Sequence, residues 1–135
     1  MDRQRASRCR VEPGSGVYRD PDRSRAFYVP DLLVRCGAQA GDGIVLVAEI
    51  LSPTNTASEM NRKRAFYKEV AAIRDILEFE QDEAACTLLR HRGDVWVEER
   101  VAGTEALLRL DSIGVDIPLA DIYHGIGLGR EEEGA

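Results

Sequence analysis

Gly43-Ile44-Val45-Leu46-Val47-Ala48-Glu49-Ile50-Leu51 is apolar throughout except for one carboxylate. A run of this length, rich in β-branched residues, predicts a strand buried on both faces and therefore central in its sheet. Just upstream, Val29-Pro30-Asp31-Leu32-Leu33-Val34-Arg35-Cys36 reads as a shorter strand entered from a proline. The intervening CGAQAGDG is glycine-rich and too short to hold a crossover helix, so the two strands are expected to pair antiparallel as a hairpin. In such a pair the start of one strand lies beside the end of the other. Asp31 and Glu49, 18 positions apart, are thereby expected at one edge of the sheet.

Downstream, Thr56 or Ser58 can cap a helix expected from Glu59 to about Ile73. Strands are expected at Asp75 to Glu80, Ala84 to His91 and Val95 to Val101, separated by QDE and by the turn Arg92-Gly93-Asp94. Ala106 to Leu110 and Gly114 to Ile117 read as one more short extended stretch, after which Pro118 opens a final helix, Leu119 to His124. No internal repeat is visible. Hairpin, helix and meandering strands in that order define an α/β class with a mixed sheet, distinct from the regular alternation of a doubly wound fold. The opening through about Arg10 and the closing GREEEGA lack apolar periodicity and are expected to fray. Residues 1–135 thus read as a single domain, with an ordered core at about 9–124 and an acidic tail at 130–135.

With 44% hydrophobic and 31% charged residues, the balance is that of a chain that folds around a core. No apolar run reaches the roughly 18 residues of a membrane span, and MDRQRASRCR lacks the apolar stretch of a secretory signal, so no membrane partner and a cytoplasmic location are expected. A net charge of -6 argues against a broad basic coat for nucleic acid but leaves room for a local basic channel. Basic residues gather at Arg3, Arg5, Arg8 and Arg10 and at Arg62, Lys63, Arg64 and Lys68, and acids at Glu131, Glu132 and Glu133. The clusters at the two ends read as solvated surface. Cys9, Cys36 and Cys86 show no C-x-x-C spacing, so neither a disulfide framework nor a zinc site is suggested, and reduced thiols are expected.

Glu49 is the informative residue of the central strand. An unpaired carboxylate buried there costs several kcal/mol, roughly, so a cation from the chain or a metal ion must compensate it. At helical spacing Met60, Lys63, Tyr67, Val70, Ala71 and Arg74 share one stripe, which aims Lys63 at the sheet and leaves Arg62, Arg64, Lys68 and Glu69 elsewhere. Two carboxylates can hold a hard divalent cation that keeps its waters, and the lysine can orient an attacking water or stabilise a pentavalent phosphate.

Tyr28-Val29-Pro30-Asp31, Val47-Ala48-Glu49-Ile50-Leu51-Ser52-Pro53 and Lys63-Arg64-Ala65-Phe66-Tyr67 together resemble the Uma2 family of restriction-endonuclease-like proteins in the PD-(D/E)XK superfamily. Ile113-Gly114-Val115-Asp116-Ile117-Pro118-Leu119-Ala120-Asp121-Ile122-Tyr123 is similar to the family's closing segment, so the resemblance runs from about Cys9 to Tyr123. It implies a restriction-endonuclease-like core in which Asp31 and Glu49 are metal ligands and catalytic residues and Lys63 is the catalytic lysine. It further implies a Mg²⁺ or Mn²⁺ cofactor and DNA as substrate. The strict superfamily pattern places lysine two positions after the acid, where this chain has Leu51; the resemblance assigns that role to Lys63 on the following helix. The family also carries an N-terminal segment with a helix and a further acid that this chain is expected to lack. Its loss would leave an apolar face that favours a homodimer.

Blander readings stand beside each assignment. Asp31 can be a strand-entry acid beside a proline, Glu49 can form a buried ion pair with Lys63 and no metal, and Lys63 can snorkel. Tyr67 reads as a core aromatic with a satisfied hydroxyl, and Ser52 as satisfying backbone groups at a strand end. Trp96 reads as core. His91 and His124 lack ligand-spaced neighbours. The function expected is metal-dependent hydrolysis of DNA phosphodiesters; the alternative is a catalytically inactive nuclease-fold remnant acting as an interaction module.

Overall fold

The computed structural model describes residues 9–14, 16–18, 27–37 and 43–125. The basic cluster at Arg3, Arg5 and Arg8 and the acidic tail lie outside the described residues. In chain order the elements are β1 (Cys9–Pro13), β2 (Val17–Tyr18), β3 (Phe27–Tyr28), β4 (Leu32–Cys36), β5 (Ile44–Ile50), α1 (Ala57–Lys68) and β6 (Asp75–Phe79). There follow β7 (Ala85–Arg92), β8 (Val95–Ala102), β9 (Leu107–Leu110), β10 (Val115–Pro118) and α2 (Leu119–Gly125). Six strands form one sheet in the order β1-β4-β5-β6-β7-β8, so the apolar run at 44–50 takes an interior place as expected.

The hairpin β4–β5 is antiparallel, with Leu32 opposite Ala48 and Leu33 opposite Val47. β4 starts at Leu32, three residues later than its sequence suggests. Pro30 has no N–H to give to a ladder, and the Asp31 side chain rather than its backbone meets β5. β5 and β6 are joined through α1 and run parallel, while β6–β7 and β7–β8 are antiparallel hairpins. The second of these turns at Gly93, whose φ of 59° is the left-handed conformation that tight hairpins require of their first turn residue.

Thr56 caps α1 with a reciprocal capping box: its hydroxyl accepts from the Glu59 N–H at 3.0 Å, and the Glu59 carboxylate accepts from the Thr56 N–H at 3.4 Å. The helix ends at Lys68, not near Ile73. Twelve residues rise about 18 Å, close to the length of a five-residue strand, and the chain must then turn back to begin β6 beside Leu46. Glu69 and Val70 close the helix by donating their N–H groups to the carbonyls of Phe66 and Tyr67 respectively.

The sheet has two apolar faces. On one, Leu33, Val47, Ile76 and Leu89 stand in a single row across four strands and pack with Phe66 and Tyr67 of α1 and with Ile73. On the other, Ala48, Leu77, Phe79 and Leu88 are covered by Leu108 and Leu110 of β9 and by Leu119 and Tyr123 of α2. β9 and β10 are two antiparallel strands, where the sequence suggests one extended stretch. Gly114, at φ 69°, allows the chain to reverse between them. Pro118 closes β10 and leads directly into α2, which begins at Leu119 as the sequence suggests.

The cysteine expectation is overturned for two of the three residues. Cys9 and Cys36 form a disulfide; only Cys86 is free, and it is buried. β1, which sequence patterning misses, pairs antiparallel with β4 and sets Cys9 directly opposite Cys36. Sequence spacing carries no sign of this, because two positions 27 apart in sequence are brought together by strand pairing.

Candidate functional site

The row that continues Leu33–Val47–Ile76 toward the sheet's other end is polar. Glu49 of β5 stands opposite Glu78 of β6, Glu78 opposite Thr87, and Thr87 opposite Arg100. Asp31 lies at the head of the same row, just before β4. Its Oδ2 accepts the Ile50 N–H at 2.7 Å, so the carboxylate takes the place of a backbone acceptor where the β4–β5 ladder ends. The expected meeting of Asp31 and Glu49 at one edge is therefore present: the Asp31 charge is close enough to raise the Glu49 pKa.

Glu49 is 5% exposed. Two side chains of α1 divide its oxygens. Lys63 Nζ donates to Oε1 at 3.4 Å, and the Tyr67 hydroxyl donates to Oε2 at 2.7 Å. Lys63 and Tyr67 are one helical turn apart and so present both donors to one point. Burial nevertheless holds the Glu49 carboxyl above the usual range, against the hydrogen bond from Tyr67 and the charge of Lys63. Tyr67 shows the reverse side of the contact: burial first, then the carboxylate it faces, push its phenol well up, so the hydroxyl remains a donor.

Asp31, Glu49 and Lys63, the three residues singled out from the sequence, are thus brought together. Tyr67, set aside as a core aromatic with a satisfied hydroxyl, is buried at 1% exposure, and its hydroxyl is satisfied by Glu49 itself. The signal that could have found it is its place one turn after Lys63 on the same stripe. The placement of Arg64 away from the sheet is corrected. Its Nε and Nη2 each donate to the Glu78 carboxylate at 2.6 Å, and its Nη1 donates to Asn61. The side chain is long enough to reach the sheet from the flank of the stripe, and Glu78, at 1% exposure, supplies the reason. Burial of a second glutamate in β6 was not anticipated.

Around the site, Ser52 Oγ lies 2.8 Å from Thr54 Oγ1 and accepts the Thr54 N–H, and the Ser52 N–H is taken by Asn55, which holds the turn from β5 into α1. Trp96 stacks on His91 at 4.6 Å on the α1 face, away from Glu49. Among the described residues no group of three or more His, Cys, Asp or Glu side chains could hold a metal ion. The donors at the edge are two carboxylates, hard oxygen ligands, and one of them is a buried acid whose charge the protein compensates incompletely. That donor set fits a hard divalent cation completed by water and poorly fits a soft one. No helix among the described residues is long and apolar enough to cross a membrane.

Comparison with known proteins agrees with this architecture. A solved structure described as "a putative nuclease belonging to DUF820", from Anabaena variabilis, superposes with a TM-score of 0.63 at 16% identity, over 90% of this chain and 70% of that one. At that identity the likeness establishes the fold, a mixed α/β sheet with covering helices. No curated protein matches. The model of one family, Uma2, described as "Putative restriction endonuclease", matches residues 2–120, and the chain belongs to the Uma2 family.

Proposed function

We propose that this protein is a metal-dependent nuclease that hydrolyses DNA phosphodiester bonds, with Asp31, Glu49 and Lys63 as its active centre. The observation that carries the reading is the convergence on Glu49: an acid 5% exposed, beside Asp31 at an open sheet edge, with Lys63 at 3.4 Å. A purely structural pair would be expected to bring its charges closer and bury both. Lys63 instead keeps 17% of its side chain exposed, against 7% for Glu49.

Asp31 and Glu49 would hold a Mg²⁺ or Mn²⁺ ion, which when bound supplies positive charge to the scissile phosphate and acidifies a water. The chain's own parts can be assigned beside it. Asp31 is oriented by the Ile50 N–H, which engages Oδ2 and leaves Oδ1 as the oxygen that would ligate a cation. Tyr67 and Lys63 fix the Glu49 carboxylate from two sides, which pre-orients it at no cost during the reaction. The Lys63 ammonium can orient the attacking water or stabilise charge that develops on the phosphate oxygens. Membership of a family described as restriction endonucleases and likeness to a nuclease structure support the reaction class.

The test is twofold. Mn²⁺ is expected to raise the melting temperature of the wild-type chain and leave that of Glu49→Gln unchanged, since a ligand of the native state stabilises by mass action. Supercoiled DNA is expected to be nicked in the presence of Mn²⁺ by the wild type and not by Lys63→Ala, which should still melt cooperatively. Undiminished nicking by Lys63→Ala would overturn its role, and a wild type that neither binds Mn²⁺ nor nicks would favour an inactive interaction module.

A further inference from the structure

At the end of the sheet away from Asp31 and Glu49 lies a cleft of about 560 Å³, lined by Arg74, Asp75, Arg90, His91, Arg92 and Asp111 among others. Asp75 opens β6 opposite Leu46, three residues before Glu78, and faces the β9–β10 side of the sheet. It is 1% exposed, yet only one of its oxygens is used: Oδ2 accepts from the Ser112 N–H at 3.1 Å and from the Ser112 hydroxyl at 2.5 Å. Oδ1 is buried with no partner, and so is Arg90 Nε, directly opposite Asp75 in the β6–β7 register and on the same face. Two unpaired polar atoms side by side in one wall are uncommon, because each costs roughly 1–3 kcal/mol of desolvation. Burial also holds the Asp75 carboxyl above the usual range despite both bonds from Ser112.

The unpaired atoms state what would satisfy them. Asp75 Oδ1 calls for a donor, and Arg90 Nε–H for an acceptor. The Arg90 head is otherwise committed, Nη1 to Glu99 at 2.9 Å and Nη2 to the Arg109 carbonyl, and its Nε stands 3.9 Å from Asp111, too far for a hydrogen bond. On the rim Arg92 pairs with Asp111 at 3.1 Å, whereas Arg74 is exposed and makes no side-chain ion pair among the described residues. A ligand must therefore combine negative charge with a hydrogen-bond donor in one small group. A phosphate that still carries a proton does so; sulfate, fully ionised, does not.

We propose that this cleft is a binding site for a protonated phosphate group, free hydrogen phosphate or a phosphomonoester. Its P–OH lies against Asp75 Oδ1, and its other oxygens accept from Arg90 Nε and from the rim arginines. The site is independent of the nuclease reading, since it shares no residue with the Asp31–Glu49 edge.

The experiment is calorimetric titration of the full chain at neutral pH, without metal, with inorganic phosphate, sulfate and deoxycytidine 5′-monophosphate. Phosphate is expected to bind at least tenfold more tightly than sulfate. Asp75→Asn, which keeps the shape of the side chain, should lose that preference, and Arg74→Ala, a surface change, should weaken phosphate several-fold while keeping it. Tighter binding of the nucleotide would assign the group to a nucleotide end, and equal or weaker binding to free phosphate; both uphold the site. Absence of phosphate binding, equal affinity for sulfate, or an Arg74→Ala variant that binds as the wild type does would overturn it.

Discussion

Glu49 and Glu78 stand opposite each other in the parallel register of β5 and β6, both on the α1 face, and consecutive helix residues answer them: Lys63 takes Glu49 and Arg64 takes Glu78. Two like charges on adjacent strands would repel. Each is held by its own cation, and together the pairs fix where α1 lies along the sheet. The difference between them is instructive. The Arg64–Glu78 contact is two-pronged with both bonds at 2.6 Å, whereas the Lys63–Glu49 contact is single and at 3.4 Å.

The first prediction concerns the tight pair. Arg64→Met leaves Glu78, whose side chain is 2% exposed, without its partner and should destabilise the fold by about 3 kcal/mol, as breaking buried pairs does. The double variant Arg64→Met, Glu78→Leu should recover most of that loss. Urea unfolding of the wild type, both single variants and the double variant closes the cycle; a double variant no better than Arg64→Met alone would show that the charge is not the cause.

Glu49 sets a pH dependence whose sign follows from its raised native pKa. The contribution of such a group to stability is fully present below the unfolded value of 4.5 and is lost as pH rises through the raised native value. Glu49→Gln abolishes that loss. In the absence of divalent metal, its melting temperature relative to wild type should therefore climb between pH 4 and pH 8, with the two curves converging at the acid end. Parallel curves over the whole range would refute the assignment.

Tyr67→Phe deletes a single hydroxyl from a buried contact. Glu49 then loses a hydrogen bond that lowers its pKa, which should move further up. Because groups that orient a ligand typically govern about 10- to 100-fold in metal affinity, the Mn²⁺ concentration needed for half of the thermal shift should rise at least tenfold. An unchanged Mn²⁺ dependence would return Tyr67 to a packing role.

The Cys9–Cys36 bridge spans 27 positions, and closing a loop of that size is worth roughly 3–4 kcal/mol in the chain-entropy account. A reductant, or Cys9→Ser, should lower the melting temperature by several degrees. Burial pushes the Cys86 thiol up to about 12, so alkylation of the native, unreduced chain should label no cysteine and labelling after reduction should reach two. Two reactive thiols before reduction would show that the bridge does not form in solution.

Much of this architecture is legible in the chain because its signals are local. The apolar run at 44–50, interrupted only by Glu49, announces an interior strand, the Thr56–Glu59 box starts a helix, and Gly93-Asp94 turns a hairpin. Errors fall where the deciding partner is distant. β1 is a half-exposed edge strand, with Val11 63% exposed, and lacks any alternation that would reveal it. Arg64 looks like a solvated base until Glu78 is placed beneath it. Cys9 looks unpaired until β1 and β4 are in register.

By itself, then, the sequence determined which segments extend or coil and which acid had to be compensated, because hydrophobic period, capping chemistry and the cost of burying charge act over a few residues. It brought Asp31 and Glu49 together through a hairpin whose loop admits no other pairing. Only the tertiary structure decided how α1 lies on the sheet, and with it that Lys63 and Tyr67 share Glu49 while Arg64 serves Glu78. Only it closed Cys9 on Cys36 and left Asp75 half satisfied in a cleft lined with arginines. These are contacts between elements far apart in the chain, and their geometry exists only once the sheet has twisted, packed and excluded water.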